Sequence, residues 1–186
     1  SDSSASASNW GRVELVGPNS MLSHVDFRYG GFNSPGQLFV NGGSLVYNDG
    51  NSDHSSAAGI RIANSNPNIT RVGVHNNAGA AMSMDLASNP TISNNGPVDA
   101  TGNGTNGLLL DAGAIDTDAF WDDPDIVYVT NGDITLSAGK TLKLAPGQIV
   151  KFRSFSYDLF VNGTLDAQGT GDQRITFTDF RDDTAG

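Results

Sequence analysis

Cysteine is missing altogether, basic residues are few, and no long apolar run occurs. Each absence closes off a class of explanation. With no cysteine among 186 residues, disulfides, thiolate catalysis and Cys-type zinc sites are excluded. No stretch reaches the ~18 consecutive apolar residues of a spanning helix, so membrane insertion is not expected. Ten Lys and Arg face twenty Asp and Glu, for a net charge of −10. Nucleic acid would have to bind against that field, and no such partner is expected. Sustained helical periodicity is also lacking; the best helical candidate, residues 117–121, amounts to a single turn.

What remains is a chain of short apolar runs separated by turn residues. Hydrophobic residues make up 37% and glycine contributes 23 positions, with Asn, Ser, Thr and Asp filling the rest, as frequent turns require. Residues 1–9 are small and polar and read as a flexible linker or N-terminal arm; residues 10–186 read as a single domain. The runs are rich in Val, Ile, Leu, Phe and Thr and read as strands. They also repeat. Ser65-Asn66-Pro67-Asn68-Ile69-Thr70 returns 23 positions later as Ser88-Asn89-Pro90-Thr91-Ile92-Ser93, and Leu38-Phe39-Val40-Asn41-Gly42 returns 121 positions later as Leu159-Phe160-Val161-Asn162-Gly163. Ile62, Leu86 and Leu110 are spaced by 24, as are Ile60, Met84 and Leu108; Val150 precedes Ile175 and Phe152 precedes Phe177 by 25; Leu136 precedes Leu159 by 23.

A fixed period in the 20–50 range marks a solenoid. Asn-Gly pairs at 41–42, 131–132 and 162–163 would suit the hairpins of an antiparallel β-sandwich, but hairpins do not explain recurrence at one coil length. Parallel stacking does, since equivalent residues then lie one strand spacing, about 4.8 Å, apart. The expected fold is therefore all-β, a β-solenoid of about seven coils of 22–25 residues forming a rod of about 30–35 Å. Alternation assigns the faces: Val150, Phe152, Ile175 and Phe177 point inward, while Lys151, Arg153 and Arg61 point outward. Asp85, 24 positions after Arg61, is its expected ion-pair partner.

The segment Thr141-Leu142-Lys143-Leu144-Ala145-Pro146-Gly147-Gln148-Ile149-Val150-Lys151-Phe152 resembles a coil of the right-handed parallel β-helix repeats found in large bacterial secreted and cell-surface proteins, whose fold is pectate lyase-like. Leu159-Phe160-Val161-Asn162-Gly163-Thr164-Leu165-Asp166-Ala167-Gln168-Gly169 and Arg174-Ile175-Thr176-Phe177-Thr178-Asp179 are similar to the coils that follow in that family. The resemblance is strong over 126–183 and diffuse over 10–110. It implies a right-handed helix and an extracellular or cell-surface, bacterial setting. In that family the last of these coils leads through an Asp/Gly-rich loop into Trp-Gly. Here Arg181-Asp182-Asp183-Thr184-Ala185-Gly186 and the early Trp10-Gly11 read as the two halves of that motif.

The function this implies is structural: a repeat or subunit of an extracellular filament, fibre or adhesin, not an enzyme, whose partners are copies of itself. An uncapped solenoid exposes strand edges and open core at both ends. Trp10, Arg12, Val13 and Leu15 at one end, and Ile175, Phe177, Phe180 and Arg181 at the other, are the expected stacking residues. The alternative is a glycan-binding or polysaccharide-cleaving β-helix, acting as a glycoside hydrolase or lyase, with Asp116, Asp118, Asp122, Asp123 and Asp125 as the reservoir of carboxylates. Calcium is the one cofactor considered, since carboxylates and amides on alternate loop positions offer oxygen ligands: Asp49, Asn51 and Asp53; Asp122, Asp123 and Asp125; or Asp182 and Asp183, completed by Asp2 of a neighbour. His24, His54 and His75 show no transition-metal spacing, and the stretch from Gly102 to Gly107 lacks the lysine of a phosphate loop.

Overall fold

The computed structural model describes residues 4–94, 96 and 98–186. Among them there is no helix, and nineteen strands follow in order: β1 (Val13–Leu15), β2 (Ser20–Ser23), β3 (Asp26–Arg28), β4 (Gly36–Asn41), β5 (Leu45–Asp53), β6 (Ala58–Ala63), β7 (Asn68–His75), β8 (Ala80–Met84), β9 (Thr91–Ser93), β10 (Thr105–Leu110), β11 (Gly113–Ile115), β12 (Ala119–Trp121), β13 (Tyr128–Thr130), β14 (Ile134–Leu136), β15 (Thr141–Leu144), β16 (Ile149–Phe152), β17 (Leu159–Val161), β18 (Thr164–Ala167) and β19 (Thr176–Asp179). The expected helical turn at 117–121 is therefore strand β12, whose Ala119 and Trp121 flank an outward Phe120.

One long sheet runs the length of the rod, β1-β4-β6-β8-β10-β13-β16-β19, every pair parallel. Each coil then passes through a second and a third face. In the first coils these are the two halves of a bent sheet, β2-β5-β7-β9, with β3 beside the second half of β5. In the last coils they are separate sheets, β11-β14-β17 and β12-β15-β18. The bend has a backbone cause. His24, Asp49 and Arg71 lie in register at the corner, with φ of 56°, 55° and 53°. A left-handed residue reverses the local direction of the strand, and here three are stacked. Asp49 and Arg71 turn the corner into a contact: the Arg71 Nε and Nη2 donate to the two Asp49 carboxylate oxygens at 2.6 and 2.8 Å.

The core is two parallel columns of side chains on the long sheet, extended by the inward residues of the other faces. Leu38, Ile60, Met82, Leu108, Tyr128 and Val150 form one column, and Val40, Ile62, Met84 and Leu110 the next, all buried. Tyr47, Ile69, Ile115, Ile134, Leu136, Leu142 and Leu144 close the section from the other sides.

The registers refine the period. The Ser-Asn-Pro echo holds: Asn68, Ile69 and Thr70 pair with Thr91, Ile92 and Ser93. The flanking turns are tied together by the Ser65 amide donating to Ser88 Oγ and the Asn89 amide donating to Asn66 Oδ1. The longer echo is not an equivalence, because Leu38 to Asn41 lie in the long sheet and Leu159 to Val161 on the second face. The other expected steps slip by two residues. Ile62 stacks on Met84 rather than Leu86, Val150 on Phe177 rather than Ile175, and Leu136 on Val161 rather than Leu159. A slip of two keeps every side chain on its face, whereas a slip of one would invert it, so the inward and outward assignments survive. The ion pair moves accordingly. Arg61 neighbours Ser83 and reaches two coils along to Asp111, bonding both carboxylate oxygens at 2.8 and 2.5 Å. Asp85 instead caps the turn, accepting from the amides of Asn64, Ala87 and Ser88. Lys151 points outward as expected, yet it is buried, because residues 182–186 fold over it and its Nζ donates to the Asp182 carbonyl at 2.8 Å.

Candidate functional site: the open ends and the acidic loops

At the C-terminal end the last coil is β17, β18 and β19, each with a neighbour on one side only. Its inward residues continue the core columns but have nothing above them. Val161, Leu165 and Phe177 are 41%, 36% and 42% exposed, while their partners one coil back, Leu136, Leu142 and Val150, are fully buried. Together with Phe152, Tyr157 and Leu159 they line an open apolar depression of about 420 Å³. Of the residues expected here, Phe177 is exposed, Ile175 is partly buried against the core, Phe180 lies under the Arg153 guanidinium at 5.9 Å, and Arg181 pairs with Asp179 at 2.9 Å. Leu159, Val161 and Leu165 join them at this end beyond the residues expected from sequence. Alternation in β17 and β18 marks them as inward, and their position in the last coil makes them end residues.

At the other end, β1, β2 and β3 form the first coil. Val13 is exposed and Leu15 half-buried. Arg12 pairs with Glu14 at 2.7 Å and sits over the Phe39 ring. Trp10 folds back on its own coil: Nε1 donates to the Arg28 carbonyl at 2.6 Å, and the indole fills the space over Gly30, where a Cβ would lie 2.7 Å from the ring. The amides of Ser8 and Asn9 donate to the carbonyls of Gly30 and Tyr29, so strand-like pairing begins within the segment read as an arm.

The acids considered for calcium are dispersed. Asp49 is held by Arg71 at the corner, and the hydrogen bond from that guanidinium keeps its carboxyl below the usual range. Asn51 and Asp53 lie on the third face. Asn51 donates to Asp26 at 2.9 Å; Asp53 accepts from His54 at 2.8 Å and faces Arg28 at 3.3 Å. Asp182 accepts from the Thr184 hydroxyl and amide and from the Thr178 hydroxyl, which hold its carboxyl down to about 2. Asp183 is exposed beside it, and Asp2 lies outside the described residues. No group of three or more His, Cys, Asp or Glu able to hold a metal ion occurs among the described residues. His24 stands at the corner, His54 against Tyr29 and Asp53, and His75 3.5 Å from Asp99.

Asp122, Asp123 and Asp125 separate sharply. Strand β9 ends its sheet, paired with β7 alone. On its free side Asp123 Oδ1 accepts from the Ile92 amide at 2.6 Å and Asp125 Oδ2 from the Asn94 amide at 2.9 Å. Amides two apart on a strand point the same way, and carboxylates two apart meet them in place of a missing strand. Asp123 Oδ2 also accepts from the Tyr128 hydroxyl at 2.7 Å. Buried among these groups, its carboxyl is pushed up to about 6 by desolvation, against the pull of the two donors. Asp122 faces a groove of about 470 Å³ along the outward row Phe120, Lys143 and Asp166 of β12, β15 and β18, with Gln168 at its rim, and Asp125 lines a separate one of about 320 Å³ with Val98, Ala100 and Ile126.

Comparison with protein-family models, with curated proteins and with solved structures gives no match.

Proposed function

We propose that this chain is a non-catalytic building block of an extracellular, bacterial filament, fibre or adhesin, assembled by head-to-tail stacking of solenoid ends. The observation that carries the reading is the open C-terminal coil, in which Val161, Leu165 and Phe177 leave core columns uncovered. Parallel strand edges beside exposed core are a template for another coil, and the first coil of a second copy, β1 to β3, offers free parallel edges in turn. The resemblance to bacterial surface β-helix repeats points the same way. Electron microscopy and sedimentation of the purified chain test this. Rods or axial oligomers are expected for the wild type, and Leu165→Asp/Phe177→Asp should disperse them. A wild-type chain that stays monomeric at high concentration overturns the reading.

A second reading, glycan binding, is favoured by the groove at Phe120, where an exposed ring lies beside Asp122, Lys143, Asp166 and Gln168. Its test is loss of oligosaccharide binding on Phe120→Ala with Asp122→Asn.

A further inference from the structure

We infer that the groove on the third face of the last coils takes an uncharged sugar chain laid along the rod axis, one sugar to each coil. This assignment of class and direction rests on the glycan-binding reading above and is independent of how the ends stack.

The register gives the groove its repeat. Phe120 on β12, Lys143 on β15 and Asp166 on β18 stand outward in successive coils, so they step along the axis by about 4.8 Å each. Two residues further along each strand come Asp122, Ala145 and Gln168, which line the same groove. The small Ala145 leaves the space between the two polar ends of that row open. A pyranose in an extended β-linked chain advances by close to one strand spacing. A chain parallel to the axis therefore meets the next coil with each sugar.

The side chains select the occupant. Phe120 is 46% exposed on the outer surface, and a phenyl face held in water is a platform for the C–H face of a sugar ring. Asp122 and Lys143 are exposed and make no hydrogen bond or ion pair among the described residues. An ammonium with three donors and a carboxylate with acceptors only are thus both left for a ligand. Asp166 accepts from Gln168 Nε2 at 2.7 Å, which keeps its second oxygen free to accept. The other acids of this region are engaged: Asp116 by the Ser137 hydroxyl, Asp118 by the Thr141 amide, and Asp123 and Asp125 by β9.

Charge and topology exclude the other occupants. One ammonium and two carboxylates leave the groove net negative in a chain of net charge −10, so a uronate chain would bring a carboxylate to every coil against that field. A chain of amino sugars would set an ammonium against Lys143 in the middle of the row. A peptide strand pairs with a sheet edge, whereas this groove lies on a sheet face with β15 paired on both sides. Sugar hydroxyls donate to both carboxylates and accept from the ammonium, and a neutral chain meets none of these penalties.

Isothermal titration calorimetry on the intact chain tests this. Cellohexaose and xylohexaose are the neutral probes, hexagalacturonate the acidic one and a chitosan hexamer the cationic one. Phe120→Ala is the groove variant; its ring points away from the core, and circular dichroism checks its fold. A neutral probe is expected to bind several-fold tighter than either charged one and to weaken several-fold in Phe120→Ala. Its affinity should rise with chain length up to three sugars, the number of strands in the sheet. Tighter binding of the acidic or the cationic hexamer, still lost in Phe120→Ala, overturns the neutral class and leaves the glycan reading intact. An affinity that does not rise from disaccharide to trisaccharide overturns the axial direction. A neutral probe held equally by wild type and Phe120→Ala, or no binding of any probe, removes the glycan reading and this inference with it.

Discussion

Lowering the pH from about 7.5 to about 5 interrogates Asp123. Its carboxyl sits near 6 in the folded chain against 3.8 when unperturbed, because burial disfavours the charged form more than the Ile92 amide and Tyr128 hydroxyl favour it. A folded-state value above the unfolded one means that the native chain binds a proton the unfolded chain does not. Stability from this group is thus fully present below about 4 and is lost as the pH rises through about 6. About two units at roughly 1.4 kcal/mol each put the difference at about 3 kcal/mol. Glu14, Asp49, Asp179 and Asp182 have lowered values, and their opposite contributions begin to be lost only as the pH falls towards their unperturbed values of 4.5 for Glu14 and 3.8 for the three Asp, so the window from about 5 to 6 is read for Asp123.

The assay is equilibrium urea unfolding across that window, for the wild type and Asp123→Asn. The net charge of −10 also relaxes somewhat on acidification, which is why the variant is needed. Asparagine keeps an acceptor for the Ile92 amide and does not titrate. The wild type should gain stability on going from neutrality to pH 5, and Asp123→Asn should lose most of that gain while being at least as stable as wild type at pH 7.5. A wild type that weakens steadily between pH 7.5 and 5, or a variant with the same slope as wild type, would refute the assignment of a buried, proton-binding carboxyl.

Two further substitutions probe the coil-to-coil contacts. Asn77→Ala strips a buried amide that accepts from the Ser55 amide and donates to the Ser52 carbonyl and Asn103 Oδ1; the orphaned backbone groups should cost about 2–4 kcal/mol in urea unfolding, and a loss under about 0.5 would mean that water replaces the amide without penalty. Arg61→Ala should cost about 1 kcal/mol, less in high salt, and in double-mutant cycles it should couple to Asp111→Ala and not to Asp85→Ala.

The periodic residues carried the fold because stacking acts on like side chains directly. Ile69 on Ile92 and Ser65 on Ser88 touch, so their spacing is a physical repeat and the 23-residue echo survives. Along the long sheet the steps from Val13 to Leu38, to Ile60, to Met82, to Leu108, to Tyr128, to Val150 and to Phe177 are unequal, because loops at the corners vary in length while strands do not. An average period therefore misplaces the rung by two residues, pointing from Ile62 to Leu86 in place of Met84. Acids were less legible. Asp123 and Asp125 are written in the same letters as the exposed Asp122, and only the absence of a strand beside β9 turns them inward. That absence is set by how β11 is placed one coil later, which no local pattern encodes. The open end falls between these cases. Alternation makes Leu165 inward, and only the coil count makes it uncovered. An end residue in a solenoid is thus a core residue by composition and a surface residue by position, and substituting it tests assembly only because its fold contacts, on one side, are already made.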